Sequence, residues 1–406
     1  MTETEMGEDD MNALPTTGPL SGLRVIELQG RGPGPFGAMV LADLGADVIR
    51  ITRPNEAPAA DALETGSATE RLLRNDRRAD LLGRGRRAVG IDLKHPDGID
   101  AALDLIDVAD VVVEGFRPGA VERLGLGPDV CRERNPGLVY VRITGWGQSG
   151  PYAHTPGHDI NYVALTGLLD LLPKSDGRPQ PPLNFLGDWG GGGMLLVVGV
   201  LAALFERSRS GVGQVVDAAM IDGASLLSTF FHGAIADGLW SDDPGQNVLS
   251  LGAPFYNVYE TADGKHITVG AGEPQFYARL IELLGADPAL LERQSDAESW
   301  AQDTETLTAI FLTRTRDEWC ELLDGTDTCF APVLTLAEAH RHPHHAARQT
   351  FVEVDGVVQP SAAPRFDRTP ATTRSHRIEA DPGDTLVDWG LDRERVDALR
   401  ENGAVT

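Results

Sequence analysis

Two segments of this chain carry groups that could move a proton. The first is Gly157-His158-Asp159-Ile160-Asn161-Tyr162, which offers an imidazole. The second is Asn184-Phe185-Leu186-Gly187-Asp188, which runs into Trp189 and the four consecutive glycines Gly190–Gly193 and offers a carboxylate. An acid and a base delivered from separate segments suit proton transfer to and from carbon. Each also has a plain structural reading: a lone histidine is commonly structural, and an aspartate before a helix is a common N-cap. The glycines argue for more. In a helix interior each costs roughly 0.8–1 kcal/mol relative to alanine, and a cap does not require them. A ligand lying against the helix start would, because bare N–H groups there stabilise an oxyanion. Gly190 and Gly191 are the candidate donors.

The elements that must position these groups read as an α/β fold. Leu23–Leu28 is an apolar run with β-branched residues, a buried strand. Gly30-Arg31-Gly32-Pro33-Gly34-Pro35 follows, then helical spacing over Phe36–Leu44, then a strand over Asp47–Ile51. The glycine-rich turn lacks the G-x-G-x-x-G spacing of a dinucleotide site, and its prolines remove N–H groups that such a loop needs. It reads instead as a rigid turn walling a pocket. Strands at Ala88–Leu93, Val111–Val113 and Leu138–Thr144 alternate with helical stretches. The alternation predicts a Rossmann-like parallel sheet with helices on both faces. A helix is expected over about Gly191–Ser208, a strand over Gln214–Asp217, and mostly helix over Ala218–Leu239. From Ala253 the texture changes to a hairpin, Phe255–Thr261 and His266–Gly270 around Asp263-Gly264, followed by helices. The expected organisation is an acidic tail without fixed structure over 1–18, a large domain over 19–251, a small α+β domain over 252–335, and a segment over 336–406 that returns to the large domain.

Composition bounds the function. With 41% hydrophobic and 24% charged residues the chain is globular. Its net charge of −26 argues against nucleic-acid or anionic-membrane binding, both of which reward a positive field. The apolar stretch Met194–Phe205 is too short to span a bilayer, so no membrane insertion is expected. Cys131, Cys320 and Cys329 are odd in number and widely spaced, which leaves neither a disulfide framework nor a metal site and fits a reducing cytoplasm. Ten of the 35 basic residues fall between Arg50 and Lys94, so this acidic chain carries one basic segment suited to a polyanionic ligand. Arg84, Arg86, Arg87 and Ile91–Lys94, like Gly115-Phe116-Arg117 with Arg123, sit at or just after the C-terminal ends of expected strands, where open α/β sheets bind ligands.

Taken together, these residues resemble the family III CoA-transferases (the CaiB/BaiF group) and, within that group, the α-methylacyl-CoA racemases. The resemblance runs from about Pro19 to Phe366. It rests on Pro19–Val25, Asp43–Val48, Gly145–Pro151, Gly157–Tyr162, Gly213–Asp217, Gly252–Tyr256, Glu273–Tyr277 and Thr328–Val333, in that order. It implies a racemase of 2-methyl-branched acyl-CoA thioesters, with coenzyme A entering as part of the substrate and no tightly bound cofactor. His158 and Asp188 would flank the α-carbon, one removing its proton and the other returning one to the opposite face. Backbone N–H groups of the glycine run would hold the enolate. Glu273 would tune His158, and Asn184 would support Asp188. The CoA channel would be lined by Arg53, Ile91, Asp92, Leu93, Lys94, Gly115, Phe116, Arg117, Arg123 and Gly157, with Asp159, Ile160, Asn161 and Tyr162. An interlocked homodimer is expected.

Two departures touch the acyl side or the CoA entrance. Gly272 stands where related racemases often carry a bulky aliphatic residue, and Ser250-Leu251 stands where Asp-Gly is usual. The main alternative keeps the same Asp188 as the nucleophile of a true CoA-transferase, through a mixed anhydride and an aspartyl-CoA thioester. A non-catalytic CoA-binding homologue is a further alternative, opposed by the complete set His158, Asp188 and Glu273.

Overall fold

The computed structural model describes residues 17–54, 67, 80–376, 378 and 380–406. Most of the acidic tail and Arg71, Arg74, Arg77 and Arg78 of the basic segment lie outside the described residues. The tail expectation ends early: at Gly18 an added Cβ would stand 2.4 Å from the Leu44 carbonyl oxygen, so this end of the tail is packed.

The chain divides into two units. The first comprises the chain up to Thr166, Pro182–Leu227 and His345–Thr406. Its centre is a six-stranded, all-parallel sheet built from β1 (Arg24–Leu28), β2 (Asp47–Thr52), β3 (Arg86–Gly90), β4 (Val111–Glu114), β5 (Val139–Thr144) and β6 (Val215–Ala219). Its spatial order is β3-β2-β1-β4-β5-β6, the doubly wound arrangement. Strands such as Val111-Val112-Val113 and Val139-Tyr140-Val141 are apolar on both faces because helices cover both faces. Val25, Val48, Val111, Val139 and Val141 belong to one core; Ile26, Ile49, Val112 and Tyr140 belong to the other.

Between β1 and β2 lies α1 (Pro33–Asp43), with Pro33 in its first turn, where a missing N–H costs nothing. All of α1 except Phe36 is buried, as its apolar sequence requires. Between β3 and β4 lies α2 (Pro96–Asp107). The chain ends back on β3: the Thr406 N–H donates to the Gly90 carbonyl at 2.9 Å, and Trp389 is buried in the core with its indole N–H donating to Asp47 at 2.8 Å.

The arginines expected near a ligand turn inward. The Arg84 Nε donates to Asp43 at 3.0 Å, and its Nη1 donates to Gln359 at 2.7 Å. Arg86 pairs with Glu27, and Arg87 pairs with Asp47 and Asp388. Arg84, Arg86 and Arg87 are all nearly buried. The register places Arg86 and Arg87 at the start of β3 rather than past its end, so they tie β3 to its neighbours instead of facing a ligand.

The second unit comprises Gly167–Pro181 and Ser228–His344. The division therefore falls near 227/228 and 344/345 rather than at 251/252 and 335/336, and it takes in a short excursion at 167–181. The cause is local. The stretch read as mostly helix over Ala218–Leu239 is strand through Ala219, then α5 (Met220–Leu227), then α6 (Thr229–Ala236), and the change of unit falls between the two helices. The unit holds the antiparallel sheet β7 (Tyr256–Glu260), β8 (His266–Gly270) and β9 (Phe330–Pro332), with β8 central. It packs on α7 (Pro274–Leu284), α8 (Trp300–Phe311) and α9 (Arg316–Leu323) around Tyr259, Tyr277, Phe311 and Trp319. In the first unit, a hairpin absent from the sequence reading pairs Phe351–Val354 with Val357–Pro360.

Candidate active site

His158 and Asp188 are delivered by the starts of two helices of the first unit. His158 is the N-cap of α3 (Asp159–Leu165), and its backbone N–H donates to Asn161 Oδ1 at 3.0 Å, leaving an exposed imidazole. Asp188 lies in the first turn of a π-helix, Phe185–Met194, which continues into α4 (Leu195–Ser210). The expected helix thus begins at Phe185 instead of Gly191, and its N-cap is Asn184 instead of Asp188.

This alters the role of the glycines. In a π-helix each N–H is aimed at the carbonyl five residues back, as Trp189 to Asn184 shows at 3.4 Å. Gly190 and Gly191 lie beyond that first bond, so their N–H groups belong to the helix and are not the bare oxyanion donors expected. Packing needs them instead. A Cβ on Gly191 would stand 2.5 Å from the Ala224 nitrogen, one on Gly192 2.8 Å from Pro33 Cβ, and one on Gly193 2.5 Å from Phe36 Cδ1. The glycines let α5 and α1 close directly onto the helix that carries Asp188.

Asp188 is held through its side chain, its backbone and the turn that faces it. Asn184 Nδ2 donates to Asp188 Oδ2 at 2.9 Å. The Asp188 N–H donates to Asp159 Oδ1 at 2.7 Å. Gly32, at φ 66, stands against it, and a Cβ there would lie 3.3 Å from Oδ2. Trp189 packs on Phe36 with ring centroids 5.1 Å apart. Burial pushes the Asp188 carboxyl above its ordinary pKa. The Asn184 hydrogen bond opposes that, the Asp159 charge adds to it, and the nearby His158 opposes it. Imidazole and carboxylate are therefore within electrostatic reach of each other. Asp159, expected along the CoA channel, is nearly buried and turned toward the Asp188 backbone, so it positions rather than lines.

A cavity of about 280 Å³ is lined by His158 but not by Asp188, which stands behind the turn residue Gly32. It sits at the C-terminal ends of β1, β4 and β5, where the strand order reverses and doubly wound sheets bind ligands. The turn after β1 walls it through Gly30, Arg31, Pro33, Gly34 and Pro35, as the rigid-turn reading expects. The turn after β4 contributes Gly115, Phe116 and Arg117, held by the Phe116 N–H donating to Glu114 at 2.7 Å and by the Arg142–Glu114 pair at 2.8 Å. Trp146, Gly157, His158 and Tyr162 close the third side. The Tyr162 hydroxyl, pushed up to about 12 by burial and then by the Asp188 and Asp159 charges, keeps its proton and donates to the Gly157 carbonyl at 2.5 Å.

The other expected residues are dispersed. Arg53 is exposed just past β2, its N–H donating to Gln29 at 3.4 Å. Ile91 is core, 1% exposed and bridged to Val405, which removes it from the ligand surface. Asp92 accepts from the Lys94 N–H at 2.9 Å, and Leu93 packs on the core. Arg123, Ile160 and Asn161 are exposed and lie outside the cavity lining. Glu273 belongs to the second unit, exposed at the N-cap of α7. Sequence reasoning missed Gly32, Arg31 and Trp146, although the first two lie within the turn read as a wall.

Comparison with known proteins places this geometry. The model of CoA-transferase family III matches residues 20–378. The chain is 42% identical to α-methylacyl-CoA racemase of Mus musculus over 95% of this chain and 97% of that protein. It is 41% identical to the Homo sapiens protein of the same name, over 94% and 96%. The crystal structure of Rv3272 from Mycobacterium tuberculosis superposes with a TM-score of 0.72 at 31% identity, covering 89% of this chain and 96% of that one. A match of this extent, on the doubly wound sheet just described, means that the chain belongs to CoA-transferase family III.

Proposed function

We propose that the protein racemises 2-methyl-branched acyl-CoA thioesters by 1,1-proton transfer through an enolate. The observation that carries this reading is the delivery of His158 and Asp188 within electrostatic reach of each other, with His158 lining the switch-point cavity. The relatives at 41–42% identity that are named α-methylacyl-CoA racemase support the same chemistry. One group removes the α-proton, charge moves onto the thioester oxygen, and the other group protonates the opposite face. Raising the Asp188 pKa makes it a stronger base, in the direction the task requires. The α-proton is a far weaker acid than either catalytic group, so the enolate's charge must also be stabilised. The positive end of the 26-residue helix Phe185–Ser210 lies at Asp188 and supplies a field of the correct sign.

Asn184 orients Asp188, and Glu273 is assigned the tuning of His158 by family resemblance. Arg117 and Phe116 at the cavity, with the more distant Arg53 and Arg123, are assigned to CoA. The active form is proposed to be a homodimer.

The transferase alternative would use Asp188 as a nucleophile. Incubation of a 2-methylacyl-CoA in D2O with no second acid separates the two. A racemase exchanges the α-proton for deuterium. Absence of exchange, together with a hydroxylamine-trappable acyl group on Asp188, overturns the racemase reading.

A further inference from the structure

We propose that Arg142 is the positioning residue of the CoA phosphate site: without touching the ligand, it fixes Arg117 and Arg123 relative to each other. The proposal rests on the assignment of those two arginines to CoA. Both are exposed, and among the described residues neither guanidinium is paired with a carboxylate. In a chain of net charge −26, two unpaired cations carried by one short segment suit a polyanion.

Arg142 stands behind that segment. It lies on β5, opposite Glu114 of β4 in the sheet register, nearly buried and outside the cavity lining. Its guanidinium spans two carboxylates: Nε donates to Glu114 at 2.8 Å, and Nη1 pairs with Glu122 at 2.8 Å. Each carboxylate governs one of the exposed arginines. Glu114 is fully buried, and its second oxygen accepts from the Phe116 N–H at 2.7 Å, which sets the turn that presents Arg117. Glu122 adjoins Arg123 in the helical turn Ala120–Arg123, so its tie to Arg142 orients that turn. The two pieces also meet directly, the Ala120 N–H donating to the Arg117 carbonyl at 3.0 Å. One planar fork thus sets both ends of the segment, which the point charge of a lysine would not do. Spanning both carboxylates leaves Nη2 buried with no partner, a cost that an apolar residue filling the same space would not carry.

Free CoA is the probe, and its binding to the full-length protein is measured by calorimetry, with a melting curve for each variant. Arg117→Leu and Arg123→Leu are expected to weaken binding. Glu122→Ala is the informative variant, because it cuts the tie at its exposed end and leaves Arg142 paired with Glu114. By field alone, deleting a carboxylate beside a polyanion site strengthens binding. Positioning predicts the reverse: affinity falls by about three- to tenfold, part of what a charge-assisted hydrogen bond contributes. That loss is largely absent in the Arg123→Leu background, where the group being placed is gone. Arg142→Lys keeps the charge without the fork and should fall by a similar factor; if it does not fold, Glu122→Ala decides alone. Binding by Glu122→Ala equal to or tighter than wild type overturns the proposal, as does a loss that survives in full in Arg123→Leu. Wild-type affinity in both Arg117→Leu and Arg123→Leu overturns the CoA assignment of those arginines and the proposal with it. Binding is read without turnover, so a failure of α-proton exchange would remove the racemisation reading and leave the result for Arg142 intact.

Discussion

Asp188 is placed where its charge is costly, and this sets the behaviour of the proposed acid/base pair. A carboxyl pKa raised by burial means that the folded state holds the proton more tightly than the unfolded chain. The contribution to stability is therefore greatest below the ordinary carboxylate range and is lost as pH rises through the raised value, above which the cost of the buried charge is fully present. Asp188→Asn removes it while keeping an oxygen that can accept from Asn184. We expect racemisation to fall by about 10²–10⁴-fold with a Tm equal to or above that of wild type, read by α-proton exchange and calorimetric melting. His158→Ala should separate the two faces: exchange persists from the enantiomer whose proton Asp188 removes, and interconversion is lost. Asp159 acts on Asp188 through its charge and through the 2.7 Å hydrogen bond from the Asp188 N–H. Asp159→Asn keeps an acceptor and deletes the charge, so Asp188 should titrate lower and the acid limb of the kcat/KM profile should move to lower pH. A merely structural Asp159 would lower activity at every pH without moving that limb.

At the scale of elements, the glycine run is a packing device. At Gly223 of α5 an added Cβ would stand 1.9 Å from the Gly191 carbonyl oxygen, a backbone contact that no rotamer change relieves. Gly223→Ala should destabilise by at least the roughly 1–3 kcal/mol typical of overpacking, seen as a lower denaturant midpoint. It should also impair catalysis, because α5 braces the helix that carries Asp188. This explains where reading the sequence succeeded and where it failed. The central strands were legible because burial on both faces leaves near-continuous β-branched runs, as in Val111–Val113 and Val139–Ile143. The rigidity of the turn at Gly30–Pro35 was legible from its prolines. The π-helix was not: i→i+5 bonding depends on which neighbours press on the helix, and Gly191 and Gly223 are 32 residues apart in sequence. The buried pairs Arg84–Asp43 and Arg86–Glu27 were hidden for the same reason, since partners 41 and 59 residues away decide whether an arginine faces solvent. The hairpin at 351–360 should have been seen. Asp355-Gly356 between valine pairs is a strong hairpin signal, and both residues take positive φ.

For the molecule as a whole, α4 poses the remaining question. Phe185–Ser210 is long and apolar enough to cross a membrane by length and composition, whereas the shorter Met194–Phe205 read from sequence is not. One side of it, Leu196, Val197, Val200 and Ala203, is packed in the core of the first unit. The opposite side shows Met194, Val198, Leu201 and Phe205, exposed by 43%, 55%, 38% and 65%. Their spacing of four, three and four residues keeps them on one face. A stripe of this kind on a helix already anchored to a sheet calls for a second protein surface, which is what the proposed homodimer would supply. A charge within it has to be desolvated for the copies to meet, whereas in a monomer it would sit in water at little cost. Val198→Glu with Phe205→Glu should therefore convert a dimer to a monomer by light scattering, with the circular dichroism of the folded chain retained. If wild type is itself monomeric at micromolar concentration, or the doubly substituted protein stays dimeric, α4 is not the dimer contact.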